Sequence, residues 1–142
     1  MSFKPILSDS EIGQLKAQVR AMERKRDEIA ITIAKTLNFP NIWTIKMIDW
    51  SNPEVSHFKE EFQQLGHDIN WLSWEIEEAE AIRDGTIDYF NAKVKAYGFI
   101  HDNFHSFEEE AEFFMKNGLT RGMSSLIEAV YQNPDYLSEV IL

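Results

Sequence analysis

The chain has 142 residues, a formal net charge of −10 at pH 7 and 44% hydrophobic residues. This hydrophobic content excludes a disordered acidic tail and is enough to bury the core of a single helical domain, expected to span residues 1–142. Because cysteine is absent, a disulfide framework, a cysteine-based zinc site and a thiol nucleophile are excluded. No apolar run approaches the ~20 residues of a membrane span, and no signal pattern opens the chain, so a cytoplasmic or nuclear protein is expected.

A capping box at Ser8–Glu11 predicts the start of the first helix, since each side chain can satisfy the other's backbone N–H. Arg26 interrupts the apolar spacing of this helix, within a basic run. The residue before a proline disfavours the α conformation, so Pro40 predicts that the helix ends near Leu37. The apolar seam is formed by Ile12, Leu15, Val19, Met22, Ile29 and Ile33.

A compact connector and a long second helix are predicted next. Residues 41–50 are dense in large apolar side chains, which predicts a buried helix of two or three turns. Pro53 suits the first position of a helix, and Asp84-Gly85 suits its end, which predicts a helix over residues 53–83. Gly66, within the seam, is expected to permit close approach of another helix. The heptad seam consists of Val55, Phe58, Phe62, Leu65, Ile69, Leu72, Ile76 and Ala79.

Shorter helices complete the prediction. The spacing of Ile87, Phe90, Val94 and Tyr97 favours a helix over a strand for residues 86–97. A second capping box at Ser106–Glu109 predicts a further helix over residues 107–117, closed by Gly118. The remaining predicted elements are a helix over residues 120–132 and a short terminal helix from Pro134. The predicted fold is therefore mainly α: a long antiparallel helical hairpin, 8–37 against 53–83, with a heptad seam and three shorter packing helices.

Acidic side chains concentrate in the second helix. Residues 53–85 carry two basic and nine acidic side chains, a net charge of −7, whereas residues 1–37 carry a net charge of +2. Such a surface favours a basic protein partner and repels a nucleic-acid backbone, so no direct nucleic-acid binding and no membrane binding are expected. Ordinary solubility is the alternative interpretation of this charge.

Two tryptophans of the second helix fall outside its seam. His67, Trp71, Trp74 and Glu78 occupy one stripe at i, i+4, i+7 and i+11, flanked by Glu75, Glu77 and Glu80. These seven residues form the predicted partner-binding site, where the aromatic groups would supply affinity and the charges would steer encounter. The alternative is that Phe113, Phe114 and the tail helices cover both indoles. The long seam and the four tryptophans, which include Trp43 and Trp50, form more apolar surface than three short helices can cover. This excess also predicts a homodimer.

No catalytic, cofactor or metal site is predicted. The sequence lacks a glycine-rich phosphate loop and a nucleophile–base arrangement. His57 with Glu61, and Glu75 with Glu78, could each share a helix face, but a carboxylate-bridged di-metal site requires the Glu-x-x-His motif twice, which this sequence does not provide.

Residues 39–99 resemble the nucleosome assembly protein (NAP/SET) family of histone chaperones. The resemblance rests on Phe39-Pro40-Asn41-Ile42-Trp43, the Asn52-Pro53 step, the acidic segment Trp74–Glu78 and the run Gly85–Phe90. It implies a dimer that binds basic histone clients.

A second resemblance is to the all-α MazG-type nucleotide pyrophosphohydrolases, carried by Trp74–Arg83 and the following Gly85. It implies a Mg²⁺-dependent enzyme in which Glu75 and Glu78, or Glu77 and Glu80, supply one metal-binding pair. The second pair would be Asp88 with Asn91, where a carboxylate is missing. A structural subunit of a larger assembly, such as a viral one, is the remaining alternative.

Overall fold

The computed structural model describes residues 6–40 and 47–142, and this part of the chain contains five α-helices and no strand. The helices are α1 (Asp9–Thr36), α2 (Lys59–Asp84), α3 (Ile87–Asn103), α4 (Phe107–Lys116) and α5 (Met123–Gln132). Short 3₁₀ turns lie at Ser56–Phe58 and Tyr136–Ser138. The prediction of a mainly α fold is confirmed. The chain forms two compact units, residues 1–80 and residues 81–142.

In the first unit, α1 and α2 pair as the predicted antiparallel hairpin. Lys16 Nζ lies 3.2 Å from Glu80 Oε2, and Lys25 Nζ lies 2.9 Å from Glu61 Oε1. The lysine nearer the start of α1 pairs with the acid nearer the end of α2, so the two helices are antiparallel. The two seams meet in two apolar clusters. Ile12, Val19, Ile76 and Ala79 form the core of one, and Ile29, Ile33, Ile48, Val55 and Leu65 form the core of the other.

The ends of α1, α2 and α4 share one hydrogen-bond pattern. After α1, Asn38 has a φ of 58°, and the Phe39 N–H donates to the Ala34 carbonyl at 2.8 Å. Gly85 and Gly118 take the same left-handed conformation after α2 and α4, with φ of 75° and 67°. These are Schellman motifs, which satisfy carbonyls that the helix leaves unpaired. The predicted ends near Leu37, at Asp84-Gly85 and at Gly118 are confirmed.

The predicted start of the second helix at Pro53 is wrong, because α2 begins at Lys59. The Asn52 side chain accepts a hydrogen bond from the Glu54 N–H at 2.9 Å, and the Asn52 carbonyl accepts from Val55 and Ser56. Asn52 thus caps a single turn, and this turn does not continue into α2 because Val55, with φ of −127° and ψ of −7°, departs from helical backbone angles. Val55 is fully buried although it precedes the helix.

The predicted connector helix is described only in part. Residues 41–46, with Trp43, lie outside the described residues. In the part that follows, Ile48 is buried and the half-buried Trp50 ring packs 5.8 Å from the Phe62 ring, whereas Met47 is 80% exposed.

In the second unit, α3, α4 and α5 enclose one core, so the helix predicted over residues 86–97 is confirmed. Ser106 caps α4 by accepting from the Glu109 N–H at 3.2 Å, but the Glu109 carboxylate accepts from His105 N rather than from Ser106 N. Only half of the second predicted capping box is therefore present. The core is formed by Ala92, Ala96, Ile100, Phe113, Leu119, Leu126, Ile127 and Val130.

A candidate partner-binding surface on α2

One line of α2 side chains runs directly beside the seam. Each of its members precedes a seam residue by one position, so the line repeats the 3-4 spacing of the seam. The Lys25–Glu61 ion pair shows that this line lies on the same side of the hairpin as Lys25 of α1. We name it the α2 flank; it consists of His57, from the 3₁₀ turn before α2, and of Glu61, Gln64, Asp68, Trp71, Glu75 and Glu78.

Trp71 is an exposed large apolar side chain of the α2 flank, with 65% of its surface accessible. Asp68 lies one turn before it and Glu75 one turn after it, so an indole stands between two carboxylates on one helix face. Trp74 differs: it is half-buried and already interacts with other groups. The two indoles, which both fall outside the seam, therefore have different environments.

The structure distributes the other predicted site residues over two sides of the helix. His67 is exposed and lies close to Trp71 in angle around the helix axis, as do Glu75 and Glu78. Glu77 and Glu80 lie beyond the seam, on the opposite flank, where Glu80 Oε2 accepts from Lys16 Nζ at 3.2 Å. Helical geometry thus places the α2 flank around Trp71 and leaves Glu77 and Glu80 outside it. Phe113 and Phe114, the proposed cover for the indoles, belong to the core region of the second unit.

An open groove of about 400 Å³ borders the other end of the α2 flank. Lys25 contributes the α1 wall, and the Glu61 carboxylate raises the pKa of Lys25 by accepting its hydrogen bond and by opposite charge. Sequence reasoning missed this groove, because the wall from α1 exists only once the two helices are in register. The opposite wall consists of His57, from the 3₁₀ turn, and of Glu60, Glu61, Gln64, Leu65 and Asp68 from α2.

The histidine and carboxylate pairs considered in the sequence lie apart from one another in the described part of the chain. Within residues 6–40 and 47–142, no group of three or more His, Asp or Glu side chains is arranged to hold a metal ion. His57 and Glu61 both line the groove, and Asp88 and Asn91 line a separate open groove beside Tyr131 in the second unit. Across the same described ranges, no helix combines the length and the apolar character required to cross a membrane.

Comparisons of this chain with protein-family models, with curated proteins and with solved structures give no match.

Proposed function

We propose that this protein is a non-enzymatic, acidic helical module that binds a basic protein partner through the α2 flank. The observation that carries the proposal is the exposure of Trp71 between Asp68 and Glu75. An arginine guanidinium can stack on an indole face while its N–H groups pair with carboxylates, and tryptophan is enriched among residues that dominate binding energy. An exposed indole framed by acids therefore suits an arginine- or lysine-rich surface.

The charge of the chain supports the same class of partner. Residues 1–80 carry nine basic and fourteen acidic side chains, and two of the lysines, Lys16 and Lys25, are paired with acids across the hairpin. The remaining negative field would accelerate encounter with a basic protein and would weaken as salt is added.

The finer features of the proposal follow from the sequence. The NAP/SET resemblance makes histones one candidate class of partner, with the cytoplasm or the nucleus as the place of action. Self-association as a homodimer is part of the same proposal, and light scattering at tens of micromolar tests it directly. A monomeric mass at that concentration would remove the dimer from the proposal without affecting the partner surface.

The test is a titration of the full chain with a labelled core histone and with an arginine-rich peptide, at low and at high salt. We expect binding that weakens steeply with salt, and a loss of about 30-fold on Trp71→Ala, the scale of a dominant interface residue. Phe107→Ala is the matched control, because Phe107 is an aromatic residue of the second unit that is 89% exposed beside an acid.

Two results would contradict the proposal. One is equal affinity of the Trp71→Ala variant and the unmodified chain for every basic probe. The other is Mg²⁺-dependent release of pyrophosphate from nucleotides that Glu78→Gln abolishes, which would establish the enzymatic alternative.

A further inference from the structure

Three carboxylates of the α2 flank lie seven residues apart. Glu61, Asp68 and Glu75 therefore lie on one face of the helix, each turned by about 20° from the one before, and follow each other at intervals of about 10.5 Å. Gln64, Trp71 and Glu78 repeat at the same interval, half a heptad further on. The flank thus presents two parallel rows with the period of a coiled coil, on a surface outside the hairpin's own seam.

The edge of α1 on this side is exposed along the first half of the helix. Lys25 precedes the seam position of Arg26 by one residue, and the next three equivalent positions towards the start of α1 are Ala21, Gln18 and Gln14, before Glu11. All three are exposed, and none carries a charge. Because the Lys25–Glu61 and Lys16–Glu80 pairs bracket the middle of the hairpin, the short side chain of Ala21 lies at about the level of Trp71.

We propose that the segment bound by the α2 flank is a single amphipathic helix, which lies along the groove as the third helix of a bundle. Its lysine or arginine residues recur every seven positions and meet Glu61, Asp68 and Glu75. Apolar residues between them cover Trp71. This inference rests on the proposed function and adds to it the conformation and the residue spacing of the partner.

The spacing of the acids distinguishes a helix from an extended segment. A helix places every seventh residue on one face at about 10.5 Å intervals, which equals the interval of the three carboxylates. An extended strand rises about 3.3 Å per residue, so that interval corresponds to three residues, and successive basic side chains would point to opposite faces. Of these two conformations, the helix is the one that presents all three charges to α2 at once.

The experiment compares two synthetic 21-residue peptides of identical composition, titrated into the full chain by calorimetry. In the first, arginine occupies every seventh position with leucine between, as in a coiled-coil partner. In the second, the same residues are redistributed around the helix. We expect the heptad peptide to bind at least about 10-fold more tightly and to gain helical circular dichroism on binding.

Matched variants locate the contact. Asp68→Asn and Glu75→Gln should each weaken the heptad peptide about 3- to 10-fold, whereas Glu77→Gln, a change of equal charge on the opposite flank, should leave its affinity unchanged. Thermal unfolding of each variant checks that the hairpin is intact.

The outcomes separate the two levels of the proposal. Equal binding of both peptides, with salt dependence and with a loss on Trp71→Ala, would overturn the helical partner and leave the proposed function in place. Failure of both peptides and of histones to bind would overturn the proposed function, and the inference with it. Tight binding of the heptad peptide that Glu77→Gln weakens as much as Glu75→Gln would show that the surface is misplaced.

Discussion

The guanidinium group of Arg26 packs directly against the backbone of Gly66 in the middle of the hairpin. A Cβ atom added to Gly66 would lie 3.3 Å from both Cζ and Nη2 of Arg26. The same guanidinium carbon lies 4.8 Å from the centre of the Phe62 ring, and Arg26 Nε is buried without a hydrogen-bond partner. Arg26 fills the position where the α1 seam is interrupted, and Gly66 makes room for it on α2. The interruption in one seam and the glycine in the other are thus one feature.

This contact predicts an energetic coupling between the two positions. Gly66→Ala alone gains helix propensity of about 1 kcal/mol, but its methyl group crowds the guanidinium, so we expect at least half of that gain to be lost. In an Arg26→Met background the crowding is relieved, so Gly66→Ala should raise the free energy of unfolding by the full gain in helix propensity. A double-mutant cycle from chemical unfolding should give a coupling of at least about 0.5 kcal/mol. Equal effects of Gly66→Ala in both backgrounds would show that the contact carries no energy.

The tryptophans of the first unit should respond differently to truncation. Trp71→Ala removes an exposed side chain, so we expect the free energy of unfolding to change by less than about 0.5 kcal/mol. Trp50→Ala removes a ring that packs on Phe62, in the apolar cluster that contains Ile33. This change should lower the free energy of unfolding by about 2 kcal/mol or more. Trp74→Ala should fall between them, because Trp74 is half-buried. A Trp71→Ala variant that unfolds would place that indole in the core and move the binding site elsewhere.

The Glu61 carboxylate should raise the pKa of Lys25 in the folded chain. The hydrogen bond and charge of Glu61 raise the pKa of Lys25 above its ordinary value of 10.5. A raised folded-state pKa means that the pair stabilises the fold below that ordinary value and loses its effect as pH rises through the higher folded-state value. NMR titration of the Lys25 ammonium should show the pKa falling in a Glu61→Gln variant. A Lys25 pKa that Glu61→Gln leaves unchanged would contradict the pair in solution.

Asn117 should hold the last residues of the second unit. Its side-chain amide donates to the Ile141 carbonyl at 2.8 Å and to the Phe113 carbonyl at 2.9 Å, and its oxygen accepts from Ile141 N at 2.8 Å. At about 0.5–1.5 kcal/mol for each hydrogen bond, Asn117→Ala should cost about 2 kcal/mol. Hydrogen exchange should show loss of protection at the Ile141 amide.

Asn117→Asp separates the roles of the two ends of that amide. It keeps the oxygen that accepts from Ile141 N and removes both donated bonds. We therefore expect partial protection at Ile141 in this variant, between that of the unmodified chain and that of Asn117→Ala. Unchanged exchange in both variants would show that the side chain does not hold this segment.

Much of the candidate surface followed from spacing alone. The heptad seam placed Trp71 outside the hairpin contact, and Trp71 is indeed exposed. Spacing did not predict correctly which acids share the face of Trp71. Glu77 and Glu80 are near Trp71 along the chain, but helical geometry puts them beyond the seam. The groove at Lys25 was also missed, since its two walls come from helices separated by more than twenty residues.

The sequence by itself determined the features that depend on a few neighbouring residues. The Ser8–Glu11 capping box and the helix ends at Asn38, Gly85 and Gly118 each arise within about one or two turns of chain, and the seam of the long helix repeats steps of three and four residues. Only the tertiary structure decided the remaining features. The packing of Gly66 on Arg26, the pairing of Lys25 with Glu61 and the different exposures of Trp71 and Trp74 depend on which distant side chains occupy the neighbouring space. Local hydrogen bonding is encoded by short-range spacing, whereas burial is set by the register in which two helices meet.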